Sequence, residues 1–119
     1  MDRIDFDANT PIYLQIIDKI KLYILSGKWQ QGERIPSVRD LSVVFGVNPN
    51  TMQRALSELE RMGLLYSERT SGRYITKDAA IIETYRNESA QKAMAAFLEQ
   101  IHALGYTTEQ IITLLEGEH

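Results

Sequence analysis

The stretch Asn48-Pro49-Asn50-Thr51 opens a helical pattern with small polar groups, and Gln53 follows about one turn on from Asn50. A helix meant for burial places large apolar residues there instead. Asn and Gln side chains carry a donor and an acceptor in one plane, so each can bond a flat partner at two points. Arg39, in the helical pattern just before, carries a planar fork of donors. Base edges answer both shapes. Adenine N6 and N7 suit Asn or Gln, guanine O6 and N7 suit Arg, and Thr51 can meet a phosphate or a thymine methyl. Backbone N–H groups at a helix start can also meet phosphate, and small side chains allow the approach. Arg54 is expected to lie toward the side of the helix and reach the DNA backbone.

Other chemistries find little support. With no Cys, neither a disulfide framework nor a thiolate metal site is available. Only His102 and His119 offer an imidazole. His102 has no Asp, Glu or Cys set at metal-ligand spacing, and Glu99 three residues back reads as a surface partner. Ser37 and Ser71 have no base nearby in sequence. Gly27 and Gly32 punctuate the chain and form no phosphate loop. No cofactor and no enzymatic activity are expected.

The elements that must position these residues are legible from periodicity. Thr10-Pro11 reads as the start of a first helix, with Thr10 as cap. Tyr13, Ile16, Ile17, Ile20 and Ile24 form its apolar face, and Ser26-Gly27 ends it. Trp29 follows in a loop as a core anchor. Ser37 caps a second helix, with Asp40 completing a variant capping box. Val38, Leu41, Val44 and Phe45 form its stripe, and Gly46 stops it. Val47 is the buried residue of the turn. Asn48 caps a third helix with Pro49 at its first position, and Met52, Ala55, Leu56 and Leu59 continue the apolar face. Two helices joined by a short turn containing Gly make a helix-turn-helix candidate.

After Gly63, LLYSER and RYIT flank the turn signal Thr70-Ser71-Gly72 and predict a β-hairpin. Tyr74 and Thr76 fall on one face, Arg73 and Ile75 on the other. Arg69 and Arg73 make the hairpin tip basic, and Gly72 leaves its backbone free to approach a phosphate or a minor-groove edge. The fold class is therefore mainly α with a small β-hairpin. It is a winged helix-turn-helix over residues 1–77, followed by two C-terminal helices over 78–119. Asp78 caps the long fourth helix. Ile82, Tyr85, Ser89, Ala93, Ala96, Ile101 and Leu104 lie near one stripe, widened by Met94, Phe97 and Leu98. Thr107 and Gln110 make a capping box for a last helix carrying Ile111, Ile112, Leu114 and Leu115.

Charge follows the same division. Residues 28–77 hold eight Lys/Arg against five Asp/Glu, and residues 79–119 hold two against six. A basic middle and an acidic tail suggest two jobs. No apolar run approaches the ~20 residues of a membrane span, and MDRIDFDANT lacks the plan of a signal peptide. A cytoplasmic protein without membrane contact is expected.

The run from Gly27 to Thr76 resembles the N-terminal domain of GntR-type bacterial transcription regulators. The matching features keep their order. They are Gly27-x-Trp29, Gly32-Glu33-x-Ile35-Pro36-Ser37, Arg39-Asp40-Leu41, Gly46-Val47, Asn50-Thr51, Ala55-Leu56, Leu59-Glu60, Gly63-Leu64-Leu65 and Gly72. The likeness covers about residues 10–77. It implies DNA-binding roles at Arg39, from Asn48 to Gln53, and from Ser71 to Arg73. Ser37 and Arg54 complete the set of DNA-binding candidates. Many members carry Arg at the second place of the recognition helix and some a further basic residue beyond it. Here those places hold Pro49 and Gln53, so the operator of Arg-bearing members does not transfer. Asn-Pro-Asn-Thr and the short tail resemble the YtrA-like branch, whose two C-terminal helices make a dimer.

Double-stranded DNA with an inverted-repeat operator and a second copy of the chain are the expected partners. Ile82, Tyr85, Ala93, Phe97, Ile101, Ile111 and Leu115 are the candidate dimerisation residues. A two-fold dimer would match a palindromic operator. The resemblance implies a repressor of an operon, often of transporter genes. A small-molecule effector between the tails, near Tyr85, Phe97 and Tyr106, and control by protein level are equally compatible. The competing function is a winged-helix protein-interaction module without specific DNA binding. It predicts an apolar recognition face, which Asn50, Thr51 and Gln53 oppose.

Overall fold

The computed structural model describes residues 5–117; residues 1–4, Glu118 and His119 lie outside the described residues. Five helices and a two-stranded antiparallel hairpin follow in the order α1 (Ile12–Leu25), α2 (Val38–Phe45), α3 (Pro49–Arg61), β1 (Leu65–Glu68), β2 (Gly72–Ile75), α4 (Ala79–Ala103) and α5 (Thr108–Glu116). The chain divides into two compact units, the first running to Thr84 and the second starting at Tyr85.

The first unit is built on the apolar faces of α1, α2 and α3. Ile16, Ile20 and Ile24 of α1 are buried, as are Leu41 and Phe45 of α2 and Met52, Leu56 and Leu59 of α3. Each such side chain contributes about 1.5–3 kcal/mol on leaving water. Helix α1 does not begin as its sequence suggests. Pro11, not Thr10, stands at the cap position, and no side chain caps there. Gln15 holds the incoming chain instead. Its Nε2 donates to the carbonyls of Asp7 (2.7 Å) and Thr10 (2.8 Å), and its Oε1 accepts from the Asp7 N–H (2.8 Å).

Ser37 caps α2, its Oγ accepting from the Asp40 N–H at 3.1 Å. Gly46 ends α2 in the left-handed region at φ 70°. A residue with a Cβ would be strained there by about 1–2 kcal/mol. The apolar stripe of α2 is narrower than periodicity suggests. Val38 is only half-buried and Val44 exposed, while Ser42 is buried with its hydroxyl donating to the Val38 carbonyl at 2.6 Å. Of its apolar residues, this eight-residue helix turns only Leu41 and Phe45, one turn apart, fully inward. Val47 is half-buried in the turn. Trp29 is half-buried too, tilted against Tyr23 with ring centroids 5.3 Å apart.

The hairpin pairs Leu65 with Ile75, Tyr66 with Tyr74, Ser67 with Arg73 and Glu68 with Gly72. Arg69, Thr70 and Ser71 form a three-residue loop. Leu65 and Ile75 are buried on one face, and Tyr66 and Tyr74 stack at 5.6 Å on the other. Thr76, expected on the face of Tyr74, is also buried, because it lies past the end of β2. Its N–H donates to the Leu64 carbonyl and its Oγ1 accepts from the Asp78 N–H.

A third edge joins this sheet. The Ile35 N–H donates to the Arg73 carbonyl and the Ile75 N–H to the Glu33 carbonyl, so Arg34 stands directly opposite Tyr74. Asp78 starts α4, its Oδ1 accepting from the Ala80 N–H. Ile82 is buried and Ile81 reaches toward Gly63. In the second unit Thr107 and Gln110 form the expected capping box. His102 Nδ1 lies 2.8 Å from the Tyr106 carbonyl, which can only accept, so Nδ1 is the donor. His102 therefore ties α4 to the turn before α5, and its bonded partner is Tyr106 in place of the expected Glu99.

Candidate nucleic-acid interface

Helix α3 opens on exposed polar residues. Asn48, Pro49 and Asn50 are exposed, Thr51 is half-buried, and the buried stripe starts only at Met52. Asn48 Oδ1 accepts from the Asn50 N–H at 2.7 Å, so Asn48 is occupied as a cap. Its amide NH2 is the part left to face outward. Asn50 presents its whole side chain to solvent. Gln53 is exposed and its Nε2 donates to Ser57 Oγ at 3.1 Å, a contact along the helix surface that a stronger partner can replace. Arg39 is exposed near the start of α2. Among the described residues no acidic group pairs with it.

Arg54 does not extend freely. Its guanidinium lies 3.7 Å from the centroid of the Tyr13 ring on α1. Stacking holds the plane of the fork and leaves its edge N–H groups open, so the ring aims the cation without neutralising it.

The wing differs more from expectation. Arg73 shares the inward face of β2 with Ile75 and turns toward α3. Its Nε donates to Glu60 Oε1 at 2.5 Å, and Ser67 Oγ donates to the same oxygen at 2.6 Å. Burial pushes the Glu60 carboxyl up, but bonds from Ser67 and Arg73 and the Arg73 charge together bring it below its ordinary value. A carboxylate thus already answers the Arg73 cation. Ser71 Oγ accepts from Tyr74 Oη at 2.8 Å, which braces the loop. Gly72, at φ 121°, lies under the guanidinium of Arg34: a Cβ built on it would stand 3.1 Å from Arg34 Nε.

Arg34, Pro36, Ser37, Val38, Gly72 and Arg73 surround a cleft of about 220 Å3 between the start of α2 and the wing. The fold thereby brings Ser37, Gly72 and Arg73 to one place, and adds Arg34. Sequence reasoning left Arg34 and Glu60 out. The signal for Glu60 was the alternation that puts Arg73 on the face of Ile75; no local pattern marked Arg34, whose pairing with β2 is an isolated bridge to Tyr74.

The dimerisation candidates separate by burial. Ile82 and Ile111 are buried within the single chain and so belong to its own core. Tyr85 and Ile101 are half-buried, and Ala93, Phe97 and Leu115 are exposed. Exposed Met94, Leu104, Ile112 and Leu114 extend the apolar surface of the second unit. Tyr106 borders an open cleft with Thr107, Gln110 and Leu114. Among the described residues no three His, Asp or Glu side chains gather as a metal site needs, and no helix is long and apolar enough to cross a membrane.

Comparison with known proteins agrees with this geometry. Residues 12–75 match the family described as bacterial regulatory proteins, gntR family. The chain is similar to the HTH-type transcriptional repressor YtrA of Bacillus subtilis, with 43% identity over 79 residues, which cover 66% of this chain and 61% of YtrA. A solved GntR family transcriptional regulator from Listeria monocytogenes is 36% identical, with a TM-score of 0.87 over 96% of this chain and all of that one. The AraR DNA-binding domain, solved in complex with operator ORX1, superposes with a TM-score of 0.55 at 28% identity, covering 64% of this chain and 93% of that one. These relatives are regulators and not enzymes. The winged helix-turn-helix and the likeness to YtrA expected from the residues are both borne out: the chain belongs to the gntR family of bacterial regulatory proteins.

Proposed function

We propose that the protein is a homodimeric repressor that acts in the cytoplasm by holding an inverted-repeat operator and excluding polymerase from the promoter it overlaps. The exposed polar first turn of α3 carries this reading, because a protein-binding face would be apolar there. In the bound state Asn50 and Gln53 meet adenine edges, Arg39 meets a guanine, and Thr51 and Arg54 meet the backbone. Asn48 contributes its amide NH2 while its oxygen caps the helix. AraR, whose DNA-binding domain is solved on an operator, supports the same docking.

The dimer is proposed on the second unit. Phe97, Leu104, Ile112 and Leu115 are large, apolar and exposed there, and a second copy would cover them. Two-fold symmetry in the protein calls for two-fold symmetry in the site. The test is selection of bound duplexes from a random library at two salt concentrations, with sedimentation of the free protein. An enriched inverted repeat of fixed spacing and a dimeric mass are expected. Binding without enrichment that vanishes as salt rises would overturn sequence-specific regulation.

A further inference from the structure

Apart from Arg69 in the exposed loop, the wing of this protein carries two arginines with opposite fates. Arg73 is part of the strand, but its charge is spent on Glu60 inside the domain. Arg34 belongs to the segment before α2, yet strand pairing delivers it to the wing. Its position opposite Tyr74 is flanked by the hydrogen bonds of Ile35 and Ile75, the closely spaced type of antiparallel pair. Its side chain therefore shares the outer face with Tyr66, Tyr74 and Gly72. It leans across Gly72, where no Cβ stands in its way: Nε and one terminal nitrogen lie 3.1 and 3.4 Å from the place a Cβ would occupy. Arg34 is exposed, and among the described residues no hydrogen bond or ion pair engages its guanidinium. The cleft of about 220 Å3 between the wing and the start of α2 opens beside it.

The geometry points to Arg34 as a phosphate-binding residue of this interface. Its ligand is a phosphodiester group of the DNA backbone, seated between the wing and α2. Arg73 is a positioning residue that, through Glu60, fixes the wing to the recognition helix. The inference rests on the DNA-binding reading above and names a contact within it. A backbone contact carries charge but no sequence information, so its signature is the salt dependence of binding and not base preference.

The experiment measures affinity for a short labelled duplex of mixed sequence across a series of potassium chloride concentrations, using the full chain. Arg34→Gln is expected to weaken binding about tenfold at low salt and to lower the slope of log affinity against log salt by about 0.9 per bound chain. Arg34→Lys is expected to restore the slope. The double variant Glu60→Gln/Arg73→Gln is expected to lose affinity through a loosened wing while keeping the wild-type slope. Random-library selection with Arg34→Gln is expected to return the wild-type base preference. Phenylglyoxal labelling of the wild-type protein, read by mass spectrometry, gives a parallel answer without substitution: duplex DNA is expected to protect Arg34. An unchanged slope in Arg34→Gln, an altered base preference, or Arg34 left unprotected in the complex would overturn the assignment alone. A wild-type protein that binds no duplex at any salt would overturn the DNA-binding reading with it.

Discussion

Arg39 stands at the second helical position of α2, exposed and without an acidic partner among the described residues. Arg39→Ala is expected to cost about 1–3 kcal/mol against the selected operator and to relax one base position, as loss of a bidentate guanine contact requires. Binding to single-base variants of the site checks this. Glu60 yields a pH prediction. Its carboxyl is held below its ordinary value near 4.5, so the folded state takes up a proton less readily than the unfolded chain. Its contribution is therefore complete above that ordinary value and is lost as pH falls through the lowered one. Thermal melting from pH 6 down to about 3 should show a steeper fall in the wild type than in Glu60→Gln. Parallel curves would mean that the Glu60–Arg73 contact adds nothing to stability.

At the scale of the element, Asn48 caps α3 and is proposed to meet DNA, and substitution can separate the two. Asn48→Ala removes the cap of α3 and is expected to cost about 1 kcal/mol of stability. Asn48→Asp keeps a good cap and adds a favourable charge at the helix start, so its melting temperature should stay near that of the wild type. On the proposed docking the same charge would face phosphate, so DNA affinity should drop sharply. An Asn48→Asp protein that binds as the wild type does would place the start of α3 away from DNA. The hairpin follows the same logic. Alternation already pairs Arg73 with Ile75, and burial of Ile75 in the core is what sends Arg73 toward α3. Only the pairing partner of β2 was hidden. Arg34 comes from a stretch too short and too broken by Pro36 to read as a strand, and it pairs because β2 offers it a free edge.

At the scale of the whole molecule, the second unit leaves large apolar side chains uncovered within one chain. Phe97→Glu together with Leu115→Glu is expected to shift the sedimenting species from dimer to monomer, since two buried carboxylates per chain would oppose association. Helix content by circular dichroism should persist, because both residues are exposed in the single chain. A dimer that survives both changes would place the interface elsewhere.

The amino-acid sequence by itself determined the order of elements, the caps at Ser37, Asn48 and Thr107, the stop at Gly46 and the polar opening of α3. All of these are local: each depends on a few neighbouring residues, backbone freedom and the period of apolar positions. Tertiary structure alone decided which charges are free. Arg73 lies thirteen residues from Glu60, Arg54 far from Tyr13, and Arg34 far from Gly72. Whether a cation meets a carboxylate, an aromatic face or open water depends on what packing brings beside it. Burial was decided in the same way. Ile82 and Ile111 share a periodic pattern with exposed Phe97 and Leu115, and only the packed chain distinguishes a residue that has found cover from one still presenting its surface.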